Sequence, residues 1–180
     1  MRIALYKGKS LVSLAIRWMT RSPYSHAAFL FDESAAEQAA RIAGGTWWPI
    51  YKLAHHEAGA VVEAWSGGVR NSRSVSTLHT RGTAVDLFDF APALTATEQA
   101  WLLAWLESRI GAPYDYLDVL RFVTRRRGCP SGRMFCSELV AQACADIGRP
   151  LFRATESWRV PPDWLARTVA LAASGSVTTI

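Results

Sequence analysis

The chain has 180 residues, half of them hydrophobic and only 19% charged, with a net charge of +5. That length suits a single domain with a full core, and that composition excludes intrinsic disorder. No apolar run approaches the length of a membrane-spanning helix, and the first residues lack the apolar region and cleavage site of a secretory signal. The expected location is therefore the cytoplasm, with a phage-encoded or host-released origin equally compatible.

In chain order, residues 3–6 predict a short first strand. Ser10 caps a helix running to about Thr20, with Leu11, Leu14, Ala15 and Trp18 on one face. This short amphipathic helix is expected to pack on the core rather than on a membrane. Pro23 ends it. Residues 24–31 form an apolar run that predicts a buried strand opening at His26. Residues 33–42 favour a helix, closed by Gly44-Gly45. His55-His56 lack metal-ligand spacing, because adjacent side chains diverge, and neither a metal nor a cofactor is read from the chain.

Residues 60–65 predict a second strand that carries Glu63 inside an apolar run. Alternation allows Glu63 to face solvent or to lie buried beside a histidine. Ser66-Gly67-Gly68 reads as a hairpin turn, 69–78 as a polar edge strand or loop, and 83–90 as a third strand. Thr95 and Glu98 form a capping-box signature ahead of a helix over 98–110, and 115–126 predicts a further helix. Pro161-Pro162-Asp163-Trp164-Leu165 starts a short helix, and the small, polar tail from about residue 173 is expected to fray. Of the eight tryptophans, Trp18, Trp101 and Trp105 fit helical core stripes. Trp47-Trp48 and Trp65 are open between core and cleft wall.

The stretch with most chemistry is Phe135-Cys136-Ser137-Glu138-Leu139-Val140, which opens a helix after the loop Gly128-Cys129-Pro130-Ser131-Gly132. Leu139, Val140, Ala143 and Ile147 share one face, and Gly148 and Pro150 stop the helix. A cysteine in a first helical turn meets unpaired backbone N–H groups and the positive end of the dipole. Both favour the nucleophilic thiolate, and the same N–H groups can hold an oxyanion. Cys144, in the apolar middle of the helix, reads as a buried structural thiol. The three cysteines include no CxxC pair, so neither a disulfide framework nor a zinc cluster is indicated.

A cysteine nucleophile needs a base and a group that orients the base. His26 opens a strong strand, whereas His79 and His55-His56 lie in less regular stretches. If the strands carrying His26 and Glu63 are neighbours, Glu63 can hold one ring nitrogen of His26 while the other faces Cys136.

Ser25-His26-Ala27-Ala28-Phe29, Val62-Glu63-Ala64, Gly111-Ala112-Pro113-Tyr114-Asp115-Tyr116, the Phe135–Val140 stretch and Pro161-Pro162-Asp163-Trp164-Leu165 follow one another in a recognisable order. The chain resembles the YiiX/YebB-like group of circularly permuted papain-like cysteine hydrolases. These are relatives of the unpermuted NlpC-type peptidases and of the lecithin retinol acyltransferase family. The resemblance spans about residues 5–165. It implies an α+β fold, with an antiparallel sheet packed against helices and the cysteine at a helix start. It further implies Cys136 as nucleophile, His26 as base and Glu63 as the orienting residue. Tyr24 and Tyr114 become candidates for a second oxyanion donor or a cleft wall, with Ser25 beside His26 as a further substrate-binding candidate. Implied substrates are peptide, amide or acyl-lipid. The alternatives are an acyltransferase, or a binding module for acyl chains or peptides with a vestigial triad. A nucleic-acid binder using Arg121, Arg125-Arg126-Arg127 and Arg133 ranks last, because no aromatic interleaving accompanies these arginines.

Overall fold

A computed structural model describes residues 1–34, 37–38, 57–115 and 133–180. Most of the helix expected over 33–42, Trp47-Trp48, His55-His56, nearly all of the helix expected over 115–126, the arginine cluster apart from Arg133, and the Cys129 loop lie outside them.

The chain is α+β, built on a six-stranded antiparallel sheet. The strands are β1 (Arg2–Lys7), β2 (His26–Leu30), β3 (Val61–Trp65), β4 (Gly68–Ser72), β5 (Ala84–Phe90) and β6 (Leu171–Thr178). Their order across the sheet is β4-β3-β2-β1-β5-β6. β1 and β2 are buried along nearly their whole length, as continuous apolar runs at the middle of a two-sided sheet should be. One face carries Ile3, Leu5, Ala27, Phe29, Val62 and Ala64 against the helices; the other carries a smaller cluster of Ala4, Tyr6, Ala28, Leu30 and Val61.

The helices are α1 (Leu11–Thr20), α2 (Ala96–Arg109), α3 (Cys136–Asp146) and the short α4 (Pro162–Leu165). α2 begins with the expected capping box: Glu98 N donates to Thr95 Oγ1 at 3.2 Å and Thr95 N donates to Glu98 Oε2 at 2.7 Å. Ala100, Leu102, Leu103 and Leu106 are its buried stripe. α3 buries Leu139, Val140, Ala143 and Cys144 and ends at Gly148, whose φ of +81° favours glycine. β3 and β4 join through Ser66-Gly67, and Gly68, at φ +110°, lets Ala112 O approach to 2.5 Å from where a Cβ would stand.

Three expectations fail. α1 does not pack on the core: none of its residues is buried, and Leu11 and Trp18 are 85% and 82% exposed. Its polar side holds it to the protein instead, through Arg17 Nη1 donating to Gly8 O at 3.2 Å. Trp101 is likewise exposed, because the stripe of α2 that enters the core is the leucine stripe one position on. Trp105 is partly buried against the core, with Nε1 donating to Asp146 Oδ2 at 2.7 Å. The tail does not fray: Leu171–Thr178 pairs with β5 from Leu171↔Phe90 to Thr178↔Ala84. Small, polar residues suit an edge strand whose side chains are mostly exposed and whose contribution is backbone hydrogen bonding.

Candidate functional site

Strand register places the key side chains. His26 is paired with Tyr6, and Ala28 with Glu63. Glu63 is in turn paired with Arg70 on β4. Residues paired or two apart share a face, so Tyr6, His26, Glu63, Arg70 and Ser72 all project from the same side of the sheet.

Glu63 is fully buried. Its Oε2 accepts from His26 Nε2 at 2.8 Å and from His79 Nε2 at 3.2 Å, and its Oε1 accepts from Ser72 Oγ at 2.6 Å. A buried carboxylate needs such partners. Burial alone would raise its pKa; the bonds from His26, His79 and Ser72 and the charge of His26 outweigh this and hold it well below the usual carboxylate range.

Cys136 is the first residue of α3, and its thiol and the His26 imidazole lie close enough to shift one another's titration. Glu63 engages Nε2, so Nδ1 is the nitrogen left for the sulfur. Burial disfavours the thiolate, but the His26 charge and hydrogen bond, together with backbone hydrogen bonds involving Ala27 and Ser137, lower the Cys136 pKa below its ordinary value. Burial also disfavours an imidazolium at His26, yet Cys136 and Glu63 together raise its pKa to about 9. Glu138 accepts from Phe135 N at 3.3 Å, on the backbone just ahead of the sulfur-bearing residue. Cys136 retains 6% exposure where Cys144 has none, and the Cys144 thiol is pushed up to about 12 by burial.

His79 and Arg70 join the site without having been assigned to it from the sequence, and Trp65, left open between core and cleft wall, falls on the site side. His79 comes from the β4–β5 connection, stacks on Tyr6 with ring centroids 4.0 Å apart, and meets Trp65 edge-on at 4.9 Å. Burial, with His26 and Arg70 nearby, lowers its pKa despite the bond to Glu63, so it is neutral. Trp65 meets His26 edge-on at 4.9 Å and therefore lines the site. The Arg70 guanidinium lies 5.9 Å from the Trp65 ring centroid. His79 carried no periodic signal; its one trace in the sequence was being the single histidine of a Ser/Thr-rich loop.

The other expected contacts are engaged locally. Tyr24 OH donates to Asp86 Oδ2 at 2.6 Å, and Ser25 Oγ accepts from Gly8 N at 3.1 Å. Tyr114 is partly buried against the core and bridges Met134, two residues ahead of Cys136.

No protein-family model and no curated protein sequence matches the chain significantly. Among solved structures, metalloprotein YiiX from Escherichia coli O157:H7, of the DUF1105 group, matches with a TM-score of 0.62. The match covers 98% of this chain and 96% of that one, at 15% identity. The chain has the YiiX-like fold. At that identity the likeness speaks for architecture; the chemistry of this YiiX-like chain rests on its own residues.

Proposed function

We propose that the protein is a cysteine hydrolase that cleaves an amide or ester through a thioester on Cys136, on a circularly permuted papain-like framework. The observation that carries the reading is the His26 imidazole held by the buried Glu63 carboxylate at 2.8 Å while it couples electrostatically to the Cys136 thiol at the start of α3. Glu63 fixes the ring with its proton on Nε2, leaving a basic nitrogen toward the sulfur. His26 takes the thiol proton, and the thiolate attacks the carbonyl carbon. The Cys136 backbone N–H, at the start of α3, faces the developing oxyanion. The leaving amine or alcohol takes the proton back from His26, and water then releases the acyl group and restores the thiol. Base assistance of this kind is worth roughly 10²–10⁴-fold in rate. Tyr114, linked to the segment just before Cys136, is the wall candidate best placed to meet substrate.

The test is mass spectrometry on the intact protein after exposure to activated peptide amides, thioesters and acyl esters. The expected result is an acyl adduct on Cys136 that turns over, absent in Cys136→Ala and slowed at least 100-fold in His26→Ala. Tight ligand binding with neither adduct nor turnover overturns the reading in favour of a binding module. Transfer of the acyl group to an added alcohol or amine, in place of water, makes it an acyltransferase.

A second reading has one observation behind it. His26, His79 and Glu63 offer ligand atoms that all lie within 4.8 Å of one another. Two imidazoles and a carboxylate are a donor set that zinc accepts, and YiiX is described as a metalloprotein. The positive charge of Arg70 beside His79 opposes a cation there. Stoichiometric zinc that is lost in His79→Ala, with cysteine labelling unchanged by chelation, would favour this reading over the thiol chemistry.

A further inference from the structure

α1 is amphipathic the wrong way round for a core helix. Its exposed residues are Leu11, Val12, Leu14, Ala15, Trp18 and Met19, all apolar; the partly covered ones are Ser13, Arg17 and Thr20, with Ile16 the one apolar residue among them. The polar side is bound to the protein. Arg17 Nη1 donates to Gly8 O at 3.2 Å. Ser13 Oγ sits 2.4 Å from where a Cβ of Gly8 would stand, so the helix is pressed onto this turn by its hydroxyl side. At 100° per residue the apolar positions sweep an arc of about 160°. Leu11 at 85%, Val12 at 69% and Trp18 at 82% exposure form a convex ridge, and a contiguous exposed apolar patch of this kind marks an interaction surface.

Charge identifies what the ridge meets. Residues 1–31 contain five Lys or Arg and no Asp or Glu. Arg2 and Lys7 are paired, with Asp32 and Asp86. Lys9 and Arg21, at the two ends of α1, are exposed and make no ion pair among the described residues. A short apolar ridge carrying leucine and tryptophan between free cations is the pattern of a helix lying in the headgroup region of an anionic bilayer. A protein partner would need a groove wide enough to take in a convex arc of about 160°.

We propose that α1 is an interfacial anchor that seats the protein on anionic lipid surfaces with Leu11, Val12 and Trp18 inserted and Lys9 and Arg21 at the headgroups. The anchor is joined directly to the site: Gly8, which receives Arg17, donates its N–H to Ser25 Oγ, and His26 follows. Docking by α1 therefore holds the His26 end of the sheet at the membrane surface. The proposal does not depend on the chemistry of Cys136.

The test is co-sedimentation of the full chain with vesicles of phosphatidylcholine alone and of phosphatidylcholine with phosphatidylglycerol. Binding to the anionic vesicles is expected, at least tenfold weaker to the neutral ones. Leu11→Glu/Trp18→Glu should abolish it, Lys9→Glu/Arg21→Glu should weaken it about tenfold, and Cys136→Ala should bind as the parent does. Because Leu11 and Trp18 are exposed, both double variants should keep the parental circular dichroism and melting temperature; Leu11→Ser/Trp18→Ser is the milder pair if the glutamates disturb the helix. Absence of binding to either vesicle overturns the proposal, as does undiminished binding by both α1 apolar variants. A dimer in sedimentation velocity that the same variants disperse, without vesicle binding, would assign the ridge to self-association and also overturn it.

Discussion

Glu63 shows how much one buried charge can organise. Its carboxylate takes hydrogen bonds from two histidines and a serine in a site with no exposure of its own. Removing it leaves two imidazoles and a hydroxyl without their acceptor, so Glu63→Ala should cost about 3 kcal/mol in urea unfolding. The pH dependence follows from the two shifts. Glu63 is held below its ordinary 4.5, so its contribution is present above that value and lost as pH falls below it. His26 is raised from 6.5 to about 9, so its contribution is complete below 6.5 and lost as pH rises through 9. Unfolding free energy should therefore fall at both ends of the range, and Glu63→Gln should remove much of the acid limb. At the sulfur, alkylation of Cys136 by iodoacetamide should titrate below the ordinary thiol value of 9.0, and His26→Ala should move that midpoint upward by at least one unit. An unchanged midpoint would mean that the imidazole does not govern the thiol.

Elements with local punctuation could be read directly from the chain: Ser10 and Thr95 as caps, Gly148 as a stop, Ser66-Gly67 as a turn. The apolar runs of β2 and β3 likewise announced buried strands with His26 and Glu63 on them. What periodicity did not convey was direction. The pattern of α1 separates two faces but does not say which one meets the protein, and here Ser13 and Arg17 turn inward. His79 escaped for a related reason, since a residue brought in by a loop has no repeat to mark it. Gly8 is the element-scale counterpart. A Cβ there would stand 2.4 Å from Ser13 Oγ and 2.6 Å from Ser25 Oγ. Gly8→Ala should lower stability by roughly 1–3 kcal/mol, measured by urea unfolding, and Ser13→Gly should restore part of the loss by vacating one of the two contacts.

Across the molecule, β1 sits between β2 and β5, and the latest strand in the chain, β6, closes the far side of β5. Its pairing was invisible to local reading, since small polar residues carry no signal until a partner strand is supplied. Removing residues 171–180 should bare the edge of β5, lower the melting temperature by about 10 °C in calorimetry and promote association at micromolar concentration. The helix-borne sulfur lies 110 residues from the strand-borne imidazole and 73 from the carboxylate, so their juxtaposition is a property of the whole fold, which residue chemistry could frame only as a condition and the resemblance made an expectation.

The register Tyr6↔His26 and Ala28↔Glu63 has a corollary for how this chain tolerates change. A single residue added or deleted on either strand between these positions would swing the carboxylate to the helix side of the sheet, out of the ring's reach, while leaving composition almost untouched. Variation in chain length is thereby channelled into the connections, and natural or laboratory variants that retain the constellation should show gaps there and none inside β2 or β3.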